Sequence, residues 1–310
     1  FCIPGMVMSA KALIGKTADP SRPDIAKALR SNICRCTGYV KIIDAVQIAA
    51  KYLREDRSVP QVAFTGKLGE NVHRIDAREK TLGYGLYADD LRLPGMLYGK
   101  ALRTKYPRAR IIKIDIEKAK KHPDAAAVLT AADIPGEKKL GHIVQDWDAL
   151  ISEGDITRCV GDAVALAAST NAQSLDEILD LIDVTYEEMD PLSNPAQSLA
   201  EGAPLIHETG NVLSREKLVR GDAQKAIETA AFKVTKTYST PFTEHAFMEP
   251  ECAVAVFEND GIRLYTGSQG IYDDQREVAQ LLGLKKEKVR VTAMLVGGGF
   301  GGKEDMSVQH

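Results

Sequence analysis

Three of the five cysteines follow the pattern C-x31-C-x-C: Cys2, then Cys34 and Cys36 within Asn32-Ile33-Cys34-Arg35-Cys36-Thr37-Gly38-Tyr39. Thiolates on loops between helices suit a tetrahedral thiophilic site, and on spacing alone zinc and iron-sulfur both stay open. The plainer alternative is a few buried or unpaired thiols. An odd, clustered set without an export signal argues against a disulfide framework. Cys159 and Cys252 stand apart and read as buried small hydrophobes.

A second candidate is Gly297-Gly298-Gly299-Phe300-Gly301-Gly302-Lys303-Glu304, which satisfies both G-x-G-x-x-G and G-x4-G-K. A phosphate loop needs Ser or Thr after the lysine to hold magnesium. Here Glu304 would repel the phosphates. A dinucleotide fingerprint should open a βαβ unit with an acidic residue about twenty positions on, a position beyond His310, so that reading is kept as a minor alternative. Successive glycines also let backbone N–H groups crowd against an anionic cofactor or an oxo ligand. Between the two candidates, Glu244-His245-Ala246-Phe247-Met248-Glu249-Pro250-Glu251 sets His245 and Glu249 four apart, a ligand spacing on a helix. Pro250 disfavours a continuous helix there, so both read as structural.

The elements that must position these residues change character along the chain. Met6, Ala10, Leu13 and Ile14 fit one helical face. Ser21 can cap a second helix with Pro23 in its first turn and Ile25, Ala28 and Leu29 inward, and Ile43, Val46, Ala50 and Leu53 mark a third. Arg54 to Asn71 is charged, carries Pro60, Gly66 and Gly69, and reads as a linker. Beyond it, strand-like Ala109 to Ile116 and Ala163 to Ala168 alternate with a helix through Leu175, Ile178, Leu179 and Ile182 and a strand at Asp183 to Glu187. A second α+β unit begins near Ala203. It has a helix around Ala223 to Ala230, a hairpin of Ala253 to Phe257 and Ile262 to Thr266, a helix from Asp273 to Leu282 stopped by Gly283, and a buried strand from Val289 to Val296.

The chain has 310 residues, 44% hydrophobic, with a formal charge of −3, and room for two or three globular domains. Basic and acidic residues are interspersed, and Trp147 and the tyrosines form no stacking series, so nothing points to nucleic acid. No apolar run nears the ~20 residues of a membrane span, and Phe1-Cys2-Ile3-Pro4 lacks the features of a signal peptide. A cytoplasmic location without membrane contact is the expectation. Both ends read as cut from a longer protein.

The cysteine segment, with Cys2-Ile3-Pro4-Gly5-Met6 before it, resembles the second [2Fe-2S] domain of the molybdenum hydroxylases, the xanthine dehydrogenase and aldehyde oxidoreductase family, whose pattern is C-x2-C-x31-C-x-C. By that resemblance the metal ligands are Cys2, Cys34 and Cys36, the first ligand lies upstream, and Cys36 also approaches the pterin. Val296 to Glu304 resembles the family's molybdopterin loop. It implies that backbone around Gly299, Phe300 and Gly301 approaches the cofactor, with the Phe300 ring bordering the active site. Gln269, in Thr266-Gly267-Ser268-Gln269-Gly270, matches the glutamine that contacts an oxygen on molybdenum, and Glu304 the substrate-orienting position of purine-hydroxylating members. Without the motif, Gln269 would be an ordinary helix-entry residue and Glu304 a solvated helix start. Pro94 to Arg103 and Val160-Gly161-Asp162 resemble the first domain of the molybdenum region and read as scaffold.

The implied architecture is α+β and multidomain. Residues 1–55 form part of a helical [2Fe-2S] bundle, 56–75 a linker, 76–195 an α/β hammerhead-like domain and 203–310 the first part of the molybdopterin-binding domain. The implied cofactors are a [2Fe-2S] cluster and molybdopterin, as the cytosine dinucleotide or similar. The implied activity is oxidation of a purine-type N-heterocycle with water-derived oxygen, electrons leaving through [2Fe-2S] clusters. An aldehyde oxidoreductase of the same family is the rival, and a zinc or electron-carrier module the alternative from another class. The family's base glutamate lies outside these residues, so the chain alone is expected to be inactive. No flavin domain fits between the cluster and molybdenum units, so a separate FAD subunit or an external acceptor, in an oligomeric parent enzyme, is the expected partner.

Overall fold

A computed structural model describes residues 1–60, 64–70 and 72–304; residues 61–63 and 71 of the expected linker lie outside the described residues. The first unit is three helices, α1 (Ile3–Ile14), α2 (Arg22–Leu29) and α3 (Tyr39–Arg54). Pro4 fits the first turn of α1, where its missing N–H costs no hydrogen bond. Ser21 caps α2 reciprocally: its hydroxyl accepts from the Asp24 N–H, and the Asp24 carboxylate accepts from the Ser21 N–H. Met6, Ile25, Leu29 and Val46 are buried together, and the Cys34 side chain packs in the same cluster. Of the expected stripe on α3, Val46 and Ala50 are buried. Leu53 is 70% exposed, because the helix outruns the partners that cover its earlier turns.

After α4 (Ala77–Leu82), β1 (Tyr98–Arg103), β2 (Ala109–Asp115), α5 (Glu117–Lys120), β3 (Ala125–Thr130), the short pair β4 (Lys139–Leu140) and β5 (Trp147–Asp148), β6 (Ala163–Ser169), α6 (Leu175–Asp180) and β7 (Asp183–Glu188) build the middle region. Strand β6 lies between β1 and β3, antiparallel to both, while β2 pairs with β7. Its sequence, Ala-Val-Ala-Leu-Ala-Ala-Ser, fits that central place. Small residues let α6 press Leu175, Ile178 and Leu179 onto one face, and Val164 meets Ile111 and Ile151 on the other.

The third region contains α7 (Pro195–Ser198), α8 (Ala223–Thr229), β8 (Ala253–Glu258), β9 (Gly261–Thr266), α9 (Ile271–Leu281) and β10 (Val289–Ala293). No residue of α8 is buried. Strands β8 and β9 form the expected hairpin, with Asn259 in the left-handed conformation its tight turn requires. Strand β10 is parallel to β9, with α9 as the crossover, and Leu264, Val278, Ala279 and Val289 form the core beneath. Gly283 (φ 63°) ends α9. The last strand stops at Ala293 rather than Val296: the Met294 N–H still bonds to the end of β9, but Leu295 and Val296 turn away to meet Leu86 and Lys80. Among the described residues no helix is long and apolar enough to cross a membrane.

Candidate functional site

The parallel pairing of β9 and β10 sends both strands out of the sheet at the same edge. Side chains and backbone at the carboxyl ends of parallel strands form a natural ligand crevice, because the loops there are free to diverge. Gln269 follows β9 and the glycine loop follows β10, so two segments thirty residues apart in sequence meet. The glycines thus close a βαβ unit, whereas a dinucleotide fingerprint would open one.

Gln269 and the loop are tied by direct bonds. The Gln269 N–H donates to the Lys303 carbonyl at 2.7 Å. Its side-chain oxygen accepts from the N–H groups of Gly301 at 3.1 Å and Lys303 at 3.3 Å. That fixes the carboxamide and makes its NH2 the end that can address an anionic oxygen. Gly299 is obligatory here, since an added Cβ would sit 2.0 Å from Gln269 Oε1. Phe300 (φ 56°) and Gly301 (φ 94°) are both left-handed, and past this turn the Gly301 and Lys303 amides close on the Gln269 oxygen as a small nest. The Phe300 ring folds back toward Gly298 and stays half-exposed.

The loop is braced from beneath by an ion pair that the sequence marks only weakly. Glu249 and Lys303 are 6% and 5% exposed and 2.8 Å apart. Glu249 Oε2 also accepts from the Gly297 N–H at 2.6 Å, and the Lys303 ammonium sits 4.6 Å from the Phe247 ring centroid. Lys80 adds a second brace. Buried in α4, it pairs with Asp76 at 2.8 Å and donates to the Val296 carbonyl at 2.7 Å, and its hydrogen bond holds the Asp76 carboxyl below the usual range. The Asp76–Lys80 spacing is a local signal of an ion pair, but nothing local marks the contact with the loop, a backbone carbonyl over two hundred residues away. The H-x3-E-P spacing was the available hint for Glu249. His245 and Glu249 do not act as a ligand pair: there is no helix, Ala246 adopts φ 50°, and the His245 ring packs against Gly301 and Gly302.

Glu304, exposed, follows directly. Asp274, in the first turn of α9, is fully buried; that burial raises its carboxyl to about 6, against a lowering hydrogen bond from Ser268.

Cys2, Cys34 and Cys36 are brought together at the end of the helical unit. Burial pushes Cys34 up, but hydrogen bonds from the Cys2 thiol, from the Cys36 backbone and thiol, and from the Thr37 backbone outweigh it and lower it overall. Burial and then Cys34 raise Cys2 and Cys36. The Cys34 N–H donates to the Tyr39 hydroxyl at 2.8 Å, and that hydroxyl donates to the Asn32 carbonyl at 3.0 Å, pinning the loop. Adjoining thiols ringed by backbone N–H groups fit the demands of an iron-sulfur cluster, whose sulfurs take such bonds. No group of three or more His, Cys, Asp or Glu among the described residues is arranged to hold a single metal ion. Cys159 and Cys252 are half-buried rather than buried, each beside a carboxylate, Asp162 and Asp89. Burial, aided by Asp162, pushes the Cys159 thiol up to about 12.

Comparisons with known proteins agree with this layout. Residues 1–47 match a [2Fe-2S] binding domain, 82–190 the a/b hammerhead domain of aldehyde oxidase and xanthine dehydrogenase, and 206–310 a molybdopterin cofactor-binding domain. The chain is 37% identical over 237 residues to a probable xanthine dehydrogenase subunit of Bacillus subtilis, covering 76% of this chain and 32% of that protein. It is 36% identical to a nicotinate dehydrogenase large molybdopterin subunit of Eubacterium barkeri, covering 78% and 57%. The solved aldehyde oxidoreductase of Desulfovibrio gigas superposes with a TM-score of 0.85 at 26% identity, over 96% of this chain and 35% of that one. The chain therefore spans between a third and three-fifths of the length of these relatives.

Proposed function

We propose, for a chain that belongs to the molybdenum hydroxylase family of xanthine dehydrogenases and aldehyde oxidoreductases, that it forms the cluster-to-molybdenum portion of an enzyme oxidising a purine-type N-heterocycle. The observation that carries the substrate reading is the position of Glu304, an exposed carboxylate immediately beyond the amide nest. A carboxylate there can accept from a ring N–H of a heterocycle, and an aldehyde offers no such donor. The relatives named for xanthine and nicotinate add support.

Each residue takes the role that the resemblance implies, and its geometry is compatible with that role. Cys2, Cys34 and Cys36 supply thiolates to the [2Fe-2S] cluster. Gly299, Phe300 and Gly301 would present backbone toward the molybdopterin group, and the free NH2 of Gln269 would donate to it. When bound, the molybdenum cofactor supplies the two-electron oxidation and the cluster the one-electron relay. The protein contributes fixed donors, which cost no reorganisation during reaction, and a Phe300 ring that excludes water from one side. Glu304 orients the heterocycle. Delivery of electrons to a separate flavoprotein subunit or external acceptor, in a cytoplasmic oligomer, belongs to the same proposal. The direct run from α3 through α4 into the hammerhead region supports it.

The aldehyde oxidoreductase reading is favoured by one observation, the likeness to the D. gigas enzyme across both the cluster and molybdenum regions. Steady-state rates of the full-length parent on xanthine and on an aromatic aldehyde, with Glu304→Ala alongside, separate the two. Loss of a hydrogen bond to a charged group predicts a drop of about 10- to 100-fold in kcat/KM for xanthine. Undiminished xanthine turnover in the variant removes Glu304 as the basis of the purine reading, and aldehyde turnover alone in the parent establishes the rival.

A further inference from the structure

Arg35 lies between two of the cysteines, yet its side chain points away from them to a distant part of the chain. Its Nε donates to the His245 carbonyl at 2.8 Å, and a terminal nitrogen donates to the Glu244 carbonyl. A planar guanidinium can hold two carbonyls at once, which a lysine ammonium cannot do with the same rigidity. The two carbonyls belong to the segment that wedges under the glycine loop. The His245 ring lies 3.0 Å from where a Gly302 Cβ would be and 3.6 Å from the corresponding point at Gly301. The Phe247 ring lies 2.8 Å from the Gly302 point, and Phe247 Cβ lies 3.7 Å from the Gly298 point. One unbroken path of contacts therefore joins the cysteine loop, through Arg35 and the 244–247 segment, to the amide nest.

We propose that Arg35 is a positioning residue for electron transfer, a fork that sets the separation and orientation of the cluster-bearing loop relative to the molybdopterin loop. It carries no electrons. With both groups bound, electron passage between them would depend on the separation of the two loops, and Arg35 would hold those loops in a fixed relation. Two features fit this role over an ordinary surface contact. The bonded atoms are backbone carbonyls, so the tie locates the main chain itself, and the neighbouring thiols fix the arginine's own Cα at the cluster.

This inference rests on the cofactor assignment above, and its test keeps the two separable. Arg35→Ala and Arg35→Lys are made in the full-length parent, and hydrogen exchange of the peptides covering 241–248 and 296–304 is followed by mass spectrometry. Because the bonded amides lie in the glycine loop, loss of the charge-assisted tie is expected to speed exchange in 296–304 about tenfold in Arg35→Ala, with Arg35→Lys between it and the parent. The second readout is rapid mixing with substrate. Reduction of the cluster, read from its visible absorbance, should slow severalfold while KM and iron content hold, and Arg35→Lys should restore part of the rate. A merely structural role would raise exchange and leave the rate of cluster reduction unchanged, which overturns the proposal. Unchanged exchange in 296–304 overturns it as well. A parent without molybdenum or iron defeats the cofactor assignment instead, and the exchange result then still reports whether the tie exists.

Discussion

Glu249→Ala should loosen the glycine loop more than any surface change nearby. The substitution removes the one carboxylate that answers both the Lys303 ammonium at 2.8 Å and the Gly297 N–H at 2.6 Å, in a place where the two charged side chains are only 6% and 5% exposed. Breaking one partner of such a pair leaves an uncompensated buried charge, a cost of about 3–5 kcal/mol. The Phe247 ring under Lys303 offsets part of it, by about 1 kcal/mol. With each 1.4 kcal/mol worth a factor of ten, exchange of loop amides should speed by roughly 30- to 1000-fold. The assay is native-state hydrogen exchange of peptides covering 294–304 in the purified parent. The double variant Glu249→Gln, Lys303→Met removes both charges but keeps an oxygen for Gly297, so it should recover to within about 1–2 kcal/mol of the parent. Single-variant effects below tenfold, or a double variant whose cost is the sum of the two singles, would refute the idea that this pair holds the loop.

Two other outcomes follow from the same geometry. Gly299→Ala places a Cβ where Gln269 Oε1 now sits, so the carboxamide must leave the Gly301 and Lys303 amides; substrate turnover should fall by about 100-fold with the fold retained, as checked by circular dichroism beside the rate assay. Asp274 is held at about 6 by burial, above the ~3.9 of an unfolded chain, so the folded state binds the extra proton. Its contribution is therefore complete below about pH 4 and is lost as pH rises to about 6. Asp274→Asn should flatten that decline, by on the order of 2–3 kcal/mol, in urea titrations across pH 4 to 7.

Periodicity and turn chemistry made much of the fold legible. Ser21 with Asp24 three residues on, Gly283 after the α9 stripe and the Asn259-Asp260 turn are local rules obeyed where local forces decide. Strand β10 is shorter than its apolar run suggests because Leu295 and Val296 are apolar enough to read as strand yet bond to a distant segment instead, Leu295 to Leu86 and Val296 to Lys80. The candidate site was legible in its glycines and cysteines, whose spacing is itself the constraint. Arg35, Lys80 and the Glu249–Lys303 pair were not. Each acts through backbone or through a residue distant in sequence, and charged residues read singly look like solvated surface. Lys303 shows the point well: it stands where a phosphate loop would carry its lysine, but it turns inward to a carboxylate instead.

The central claim is that these elements serve a [2Fe-2S] cluster and a molybdenum cofactor in one protein. Metal and acid-labile sulfide analysis of the purified full-length parent, with its visible spectrum recorded before and after anaerobic addition of substrate, tests it directly. The account predicts molybdenum, iron and sulfide together, and cluster absorbance that bleaches on addition of substrate. Zinc in place of iron and sulfide, or a cluster that substrate leaves unbleached in the absence of molybdenum, would contradict it.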